Sequence, residues 1–390
     1  MRISKVETFI LRVPLGSKTF RSSQARFPER NSLLVRVTTS DGIVGWGEGG
    51  QYGPPEPVAA CIDRVLAPLI VDRPFSEPVR LWEQLYTHSR DFGQKGTYIE
   101  ALSALDIAHW DIWGKALGQP IHALLGGAFR DRIQAYATGC YYPEEIDAGS
   151  ASLDALAAEA EEHVRSGFST LKMKIGLLPV AADGARVAAV RKAIGPDVAL
   201  LVDANHAYNA AGAIRMGREL ERWQVSWFEE PVVPEDRSGY RRVRDALSIP
   251  VAGGECEFTR YGFRDLFEGE CVDIAQPDLC VCGGYSEWLK IQALASAHSV
   301  LTIPHVWGSG VALATALHAL AVVPPTPHTD NPVPIQNEPV VEYDRQPNPL
   351  RDDLLVEIFA LEDGCLAVPS GHGLGITVND EVVNRYRTEA

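Results

Sequence analysis

Apolar and polar positions along the chain change period twice. Residues 1 to about 50 alternate with a period of two, as strands do. Ser32-Leu-Leu-Val-Arg-Val-Thr-Thr-Ser leads to Asp41-Gly42 and then to Ile43-Val-Gly-Trp-Gly-Glu. Two runs joined by a turn signal predict an antiparallel hairpin. Between the first strand and this hairpin, residues 18–30 form a loop with Arg21, Arg26 and Arg30, read as a binding loop or a mobile one. From 56 to 125 the period is helical. Glu100 to Leu117 puts Leu102, Leu105, Ile107, Ala108, Ile112 and Leu117 on one apolar face, with Trp110 and Trp113 packing there, and Gly118-Gln-Pro120 stops it. His109 and Asp111 on that helix read as solvated or locally bonded side chains.

From Arg132 short apolar runs alternate with helical stretches. The runs are 133–138, 170–174, 199–203, 226–229, 250–253, 272–275, 300–304 and 340–343. Helices fill the gaps up to about 166, 194, 223, 247, 268, 298 and 322. The fold class is therefore α/β, in the sequence form of a (β/α)8 barrel. An open doubly wound sheet would want a glycine-rich phosphate turn after its first strand, and none stands there. Gly-His-Gly-Leu-Gly at 371–375 follows Val-Pro-Ser and reads as a turn. Residues 324–349, rich in Pro and Asn, read as a long loop into the last strand. The tail from Leu354 does not extend the barrel.

Composition narrows the function classes. The net charge of −15 over 390 residues, with no basic stripe, argues against a nucleic-acid partner. Charges interrupt the first twelve residues too often for a signal peptide, and the longest apolar stretch, 310–325, is too short to span a bilayer. No membrane association is expected. Seven cysteines, an odd number in a long chain, suit a reduced cytoplasm. Cys280 and Cys282 flank one residue but lack companions for a metal site, so buried thiols are expected.

Strand ends of a barrel share one mouth. Asp203, Glu229 and Glu255 end three successive runs at equal intervals of 26 residues. Three converging carboxylates repel one another and call for a cation. An oxygen-only set with positions left for substrate describes Mg²⁺. The alternative is that each acid caps the next helix, an ordinary role for one acid but a poor account of three. Lys172 and Lys174, two apart on a strand, point to one face. Neighbouring ammonium groups depress each other's pKa, giving an amine able to take a proton. His305 ends the seventh run and Asp278 follows the sixth, close enough to pair and to fix the imidazole. A metal between a lysine base and a His–Asp pair suits removal of a proton beside a carboxylate, with the metal stabilising the enediolate.

Lys172-x-Lys174, Asp203-Ala-Asn205, Glu229-Glu-Pro231, Gly254-Glu255, Asp278 and Pro304-His305 resemble the enolase superfamily, mandelate racemase subgroup, and the resemblance spans the chain. It implies an α+β capping domain over 1–130, completed by 355–390, on a modified barrel over 131–354. It implies one Mg²⁺ per subunit on Asp203, Glu229 and Glu255, Lys174 as an acid/base catalyst and Lys172 polarising the carboxylate. His305, paired with Asp278, becomes the catalyst of the opposite face. Glu342 matches a last-strand glutamate near the substrate carboxylate, with Glu338 as its rival. Asn205, His206, Arg21 and Tyr52 are the other candidates for substrate binding, since loops 18–30 and 51–52 set specificity in this family. Within the subgroup, Tyr136-Ala-Thr-Gly, Trp227-Phe-Glu-Glu-Pro-Val-Val-Pro-Glu, Gln276-Pro-Asp-Leu-Cys-Val-Cys-Gly-Gly and Pro304-His-Val-Trp-Gly-Ser-Gly-Val resemble members that open a sugar-diacid lactone. The small-molecule partner expected is thus an acid sugar or its lactone, and the assembly an even-numbered homo-oligomer, dimer to octamer. The alternatives are an acid-sugar dehydratase, a racemase or epimerase, and a barrel that binds an acidic sugar without turning it over.

Overall fold

The computed structural model describes residues 1–50, 53–145 and 150–388. Tyr52, one of the expected substrate contacts, lies outside the described residues.

The N-terminal alternation folds as expected. β1 (Ile3–Pro14), β2 (Glu29–Thr39) and β3 (Val44–Glu48) form an antiparallel sheet in the order β1-β2-β3. Ile10, Leu33, Val35 and Val37 on one face pack with residues of α1 (Pro78–Ser89) and α2 (Thr97–Leu117), among them Leu81, Leu85, Leu102 and Leu105. Alternating glycines set that distance. A Cβ at Gly45 would fall 2.2 Å from Ala108 O, and one at Gly47 would fall 2.0 Å from Ala104 O. The other face carries Phe9, Leu11 and Trp46, which join the large core of the barrel.

Helix α2 departs from its expected surface in two places. Leu117 is 52% exposed, because the helix stops there at the left-handed Gly118. Asp111 is fully buried rather than solvated. It accepts from Trp46 N at 3.0 Å and Leu374 N at 2.8 Å and pairs with Lys115 at 2.7 Å, so three segments meet on one carboxylate. His109 is bonded locally, Nδ1 to Leu105 O at 2.8 Å.

Eight parallel strands follow: β4 (Arg132–Gly139), β5 (Thr170–Lys174), β6 (Ala199–Asp203), β7 (Val225–Glu229), β8 (Val251–Gly253), β9 (Ile274–Ala275), β10 (Leu301–Thr302) and β11 (Val341–Asp344). The sheet runs β10-β9-β8-β7-β6-β5-β4-β11. Helices lie between them, α3 (Ser150–Arg165), α4 (Val180–Ile194), α5 (Ala210–Glu221), α6 (Arg237–Ala246), α7 (Thr259–Glu268), α8 (Gly284–Ala297) and α9 (Gly310–Ala321), with a single short turn of helix, Leu279–Cys282, just before α8. Among the described residues no strand ladder joins β10 to β11. A side chain spans that seam instead, Glu342 accepting from Val306 N at 3.2 Å.

Strand alternation divides the residues between two cores. Leu171, Met173, Val202 and Phe228 face the helices. Tyr136, Leu201, Trp227, Ala252, Ile274 and Leu301 fill the lumen. On β5 the lumen-facing positions are Lys172 and Lys174, both buried.

The tail returns to the first sheet. α10 (Asp380–Tyr386) places Val382 and Val383 in the core that holds Leu11, and Thr388 N donates to Ile10 O at 2.9 Å. The glycines at 371–375 form the expected turn. Gly373 passes so close to Gly114 of α2 that a Cβ on Gly114 would meet its Cα at 2.6 Å. Cys280 and Cys282 are buried thiols, as expected. No helix among the described residues is long and apolar enough to cross a membrane.

Candidate active site

Register brings the charged strand ends into one row. Lys174 pairs with Asp203 across β5 and β6, and Asp203 pairs with Glu229 across β6 and β7. Glu255 follows β8 beyond Gly254. That glycine has φ +114, and a Cβ there would lie 2.8 Å from the Phe263 ring, so no other residue fits the turn that presents Glu255. One oxygen each of Asp203, Glu229 and Glu255 lies within 4.8 Å of the other two, and all three residues are buried. They do not cap helices: α5 is capped by Asn209 and α6 by Asp236, while α7 has no side-chain cap. A buried trio of carboxylate oxygens without nitrogen or sulfur matches the donor preference of Mg²⁺.

The two lysines meet these acids. Lys172 Nζ lies 2.6 Å from Glu229 and 2.9 Å from Glu342, and Lys174 Nζ bonds to Asp203. Burial alone would lower both lysine pKa values. The carboxylates outweigh it and hold both well above the ordinary value. This corrects the expectation of a mutually depressed pair: although Lys172 and Lys174 share a face, their ammonium groups attach to different acids, and attraction exceeds their repulsion. The acids respond unequally. Burial pushes Glu229 up to about 7 against the pull of Lys172. Burial also opposes the charge on Asp203 and Glu342, but Lys174 and Lys172 hold Asp203 low, and Lys172 and His305 hold Glu342 down to about 2.

On the far side, His305 Nδ1 lies 2.7 Å from Asp278 Oδ2, and Nε2 lies 3.7 Å from Glu255 Oε2. Burial would lower the imidazole pKa; Glu255, Asp278 and Glu342 instead raise it to about 9. Asp278 is itself fixed by Cys280 N at 2.8 Å.

Lys174, Asn205, Glu255 and His305 open onto one cavity of about 360 Å³. This is within the range of small-ligand sites. The N-terminal loop roofs it. Residues 18–30 form a small sheet, Phe20–Arg21 pairing with Arg26–Phe27 and with Tyr142–Pro143, and Ser23 Oγ donates to Ala204 O at 2.5 Å. Ser22, Gln24, Phe27, Glu29 and Asn31 line the roof, Tyr141 and Trp307 the wall. The loop expected to bind substrate thus borders the cavity, through residues other than Arg21. Arg21 is held in the strand ladder and does not line the cavity; the turn after it, closed by Ser22 N to Ala25 O at 3.0 Å, presents Ser22, Gln24 and Ala25. His206 does not line the cavity either. Its Nε2 sits 3.1 Å from Glu230 and 3.8 Å from Cys256, so Cys256 is the one that reaches the cavity. Glu342 is buried beside Lys172 and Thr138, whereas Glu338 is paired with Arg130 at 2.8 Å. Trp307 was legible two residues past His305, and Tyr141 two past the end of β4; neither carried a chemical signal of its own.

Comparison with known families matches the enolase C-terminal domain-like profile over residues 155–382 and the mandelate racemase / muconate lactonizing enzyme N-terminal domain profile over 5–126. The chain belongs to the mandelate racemase/muconate lactonizing group of the enolase superfamily. Among curated members it is 43% identical to D-galactarolactone cycloisomerase of Agrobacterium fabrum, over 99% of each chain. It is 35% identical to arabinonate dehydratase of Saccharolobus solfataricus, over 92% of this chain and 91% of that one. A racemase from Streptomyces coelicolor A3(2), solved with bound magnesium, superposes with a TM-score of 0.86 at 27% identity, covering 99% of this chain and 100% of that one. This superfamily member is thus an enzyme, an isomerase or a lyase.

Proposed function

We propose that the protein is an Mg²⁺-dependent enzyme that removes the proton beside a carboxylate of an acid sugar, and that its substrate is a sugar-diacid lactone. One observation carries the reading: Lys174 and His305 face a single cavity together with Glu255, whose carboxylate lies within 4.8 Å of those of Asp203 and Glu229. In this reading residues 1–130 and 355–390 form the specificity cap and 131–354 the catalytic barrel, in an even-numbered homo-oligomer.

Asp203, Glu229 and Glu255 would hold Mg²⁺, and the ion would supply positive charge to stabilise the substrate carboxylate when its α-carbon loses a proton. Lys172, fixed between Glu229 and Glu342, donates to that carboxylate. Asp203, which holds Lys174 as an ammonium ion, would be drawn to the metal instead, and Lys174 Nζ, freed of its own proton, would take the substrate proton on one face. On the other, Asp278 holds His305 Nδ1, so proton exchange with substrate runs through Nε2. The electron pair left at the α-carbon forms a double bond to the β-carbon as the ring oxygen departs as a carboxylate. The resulting enol gains a proton at carbon and becomes a keto-deoxy diacid. Tyr141, Trp307 and the roof exclude water during this sequence. Water loss from an open-chain acid sugar, the second reading, rests on the likeness to arabinonate dehydratase. It needs the same proton removal and a general acid for the departing hydroxide, a role His305 fits.

Proton NMR in D₂O tests this with Mg²⁺ and a panel of sugar diacids, their lactones and hydroxy acids. A keto-deoxy product from a lactone alone is expected, and chelation of the metal stops its formation. The same product from an open-chain acid instead assigns dehydration, and deuterium uptake without net change assigns racemisation. No exchange with any panel member while Mg²⁺ is bound overturns the catalytic reading.

A further inference from the structure

A second cluster of ligating side chains stands apart from the carboxylate trio. Cys140 follows β4, and Glu159 and His163 lie one turn apart on α3. One atom each, thiol sulfur, carboxylate oxygen and imidazole nitrogen, all lie within 4.8 Å of one another. Residues at i and i+4 share a helix face, so Glu159 and His163 present their donors together. His163 Nε2 is 3.6 Å from Glu159 Oε1. It is buried and, among the described residues, has no hydrogen-bond partner. Such an atom carries a desolvation cost unless something satisfies it. Room for the ring is kept by Gly139, where a Cβ would fall 2.5 Å from Nε2. Glu159 Oε1 also accepts from Cys140 N at 2.8 Å and Gln346 Nε2 at 3.3 Å, which fixes the carboxylate.

The donor set differs in kind from the oxygen-only trio. Sulfur, nitrogen and oxygen together suit a borderline-soft divalent ion. Donors bonded at roughly 2.0–2.3 Å to a tetrahedral ion stand roughly 3.3–3.7 Å apart, and Glu159 and His163 already have that spacing. Glu159 and Gln346 also border a cavity of about 590 Å³, distinct from the substrate cavity, through which an ion and a fourth, non-protein ligand can enter. We propose that Cys140, Glu159 and His163 form a second metal site, for zinc or a similar transition ion, that clamps the end of β4 to α3. The clamp is next to Tyr141, whose hydroxyl accepts from Trp307 Nε1 at 3.1 Å in the substrate cavity. The other Cys/His/Glu group, His206, Glu230 and Cys256, has His206 Nε2 3.1 Å from Glu230 and opens through Cys256 onto the substrate cavity, so it serves as the control.

Co²⁺ added to the full-length protein, with Mg²⁺ in excess to occupy the trio, provides the test. A thiolate-to-cobalt charge-transfer band is expected, saturating at one ion per chain and abolished by stoichiometric Zn²⁺. Cys140→Ala removes the band and Cys256→Ala leaves it. His163→Ala weakens Co²⁺ binding by about tenfold or more, and it decides the matter should Cys140→Ala fail to fold by circular dichroism. The proposal is overturned by the absence of a band in the parent, by a band that survives Cys140→Ala, by one that Cys256→Ala abolishes, or by unchanged affinity in His163→Ala.

Discussion

Glu48 Oε2 lies 2.5 Å from Ser309 Oγ and 3.1 Å from Ala312 N, so a carboxylate from β3 sits on the N-terminus of α9, opposite the N-terminal sheet. Its other oxygen accepts from Ser32 Oγ at 2.8 Å and Ser309 N at 3.0 Å. Glu48 is completely buried, and among the described residues no basic side chain pairs with it; the helix terminus supplies the complementary charge. Burial pushes its pKa above the usual carboxylate range.

Glu48→Gln keeps the shape but turns an amide NH₂ toward groups that themselves donate. A loss of roughly 2–3 kcal/mol is expected, since a buried charged acceptor is replaced by an unsatisfied donor. Urea unfolding at neutral pH reads it as a lower midpoint at unchanged slope. A midpoint equal to the parent's removes the carboxylate from the junction between sheet and helix.

Arg30 and Asp344 form another tie between the N-terminal part and the barrel, an ion pair almost wholly buried. The guanidinium also lies 4.5 Å from the Trp307 ring and donates to Pro347 O at 3.1 Å. Arg30→Met strands Asp344 without its partner, at an expected cost of about 3–5 kcal/mol, and Arg30→Met/Asp344→Leu restores most of it. Because Trp307 lines the substrate cavity, KM rises in the single variant. Equal stability of single and double variants contradicts the pairing.

Asp106 of α2 accepts from Ser286 Oγ at 2.5 Å and Ser286 N at 2.9 Å at the start of α8. Burial raises its pKa from 3.8 to about 7. The folded chain therefore holds this proton more tightly than the unfolded chain. Between pH 4 and about 7 the native state binds more protons, and its contribution to stability falls as pH rises. Asp106→Asn removes the titration and keeps an acceptor for one of the two Ser286 donors, which bond to different oxygens of the carboxyl group. Relative to the parent, the variant is expected to gain at least about 1 kcal/mol between pH 5 and pH 8 in paired denaturation curves. Parallel pH profiles for the two proteins would sink this account.

Asp278→Asn leaves His305 in place but removes the charge that orients it. A kcat lower by about 10²–10⁴ is expected at nearly unchanged KM, with Mg²⁺ affinity retained in a calorimetric titration. A kcat near the parent's would detach the His305–Asp278 pair from the chemistry.

Periodicity made the eight strands legible because each barrel strand is a short apolar run bounded by a polar end, and Lys172, Asp203, Glu229 and His305 all sit at or near such ends. The spacing of the three acids foretold their convergence because parallel register repeats at every strand. Arg21 and His206 were harder for the same physical reason. Which side chain of a loop faces a cavity depends on turns such as Ser22–Ala25 and on partners such as Glu230, and neither leaves a period in the sequence. Glu48 was invisible for a related cause: its donors on the helix, Ser309 and Ala312, lie more than 260 positions away. The charge states of Lys172 and Lys174 also depended on partners from other strands, Glu342 and Asp203.

The roof of the substrate cavity comes from residues 22–31 and its reactive floor from strand ends beyond residue 170. Selector and reactor are thus carried on stretches of chain more than a hundred residues apart, joined by a few side-chain ties. A lineage can rewrite the selector by changing a dozen loop residues while the proton-moving parts stay untouched. Grafting a relative's loop onto this barrel should transfer appetite for a new sugar without rebuilding the engine beneath it.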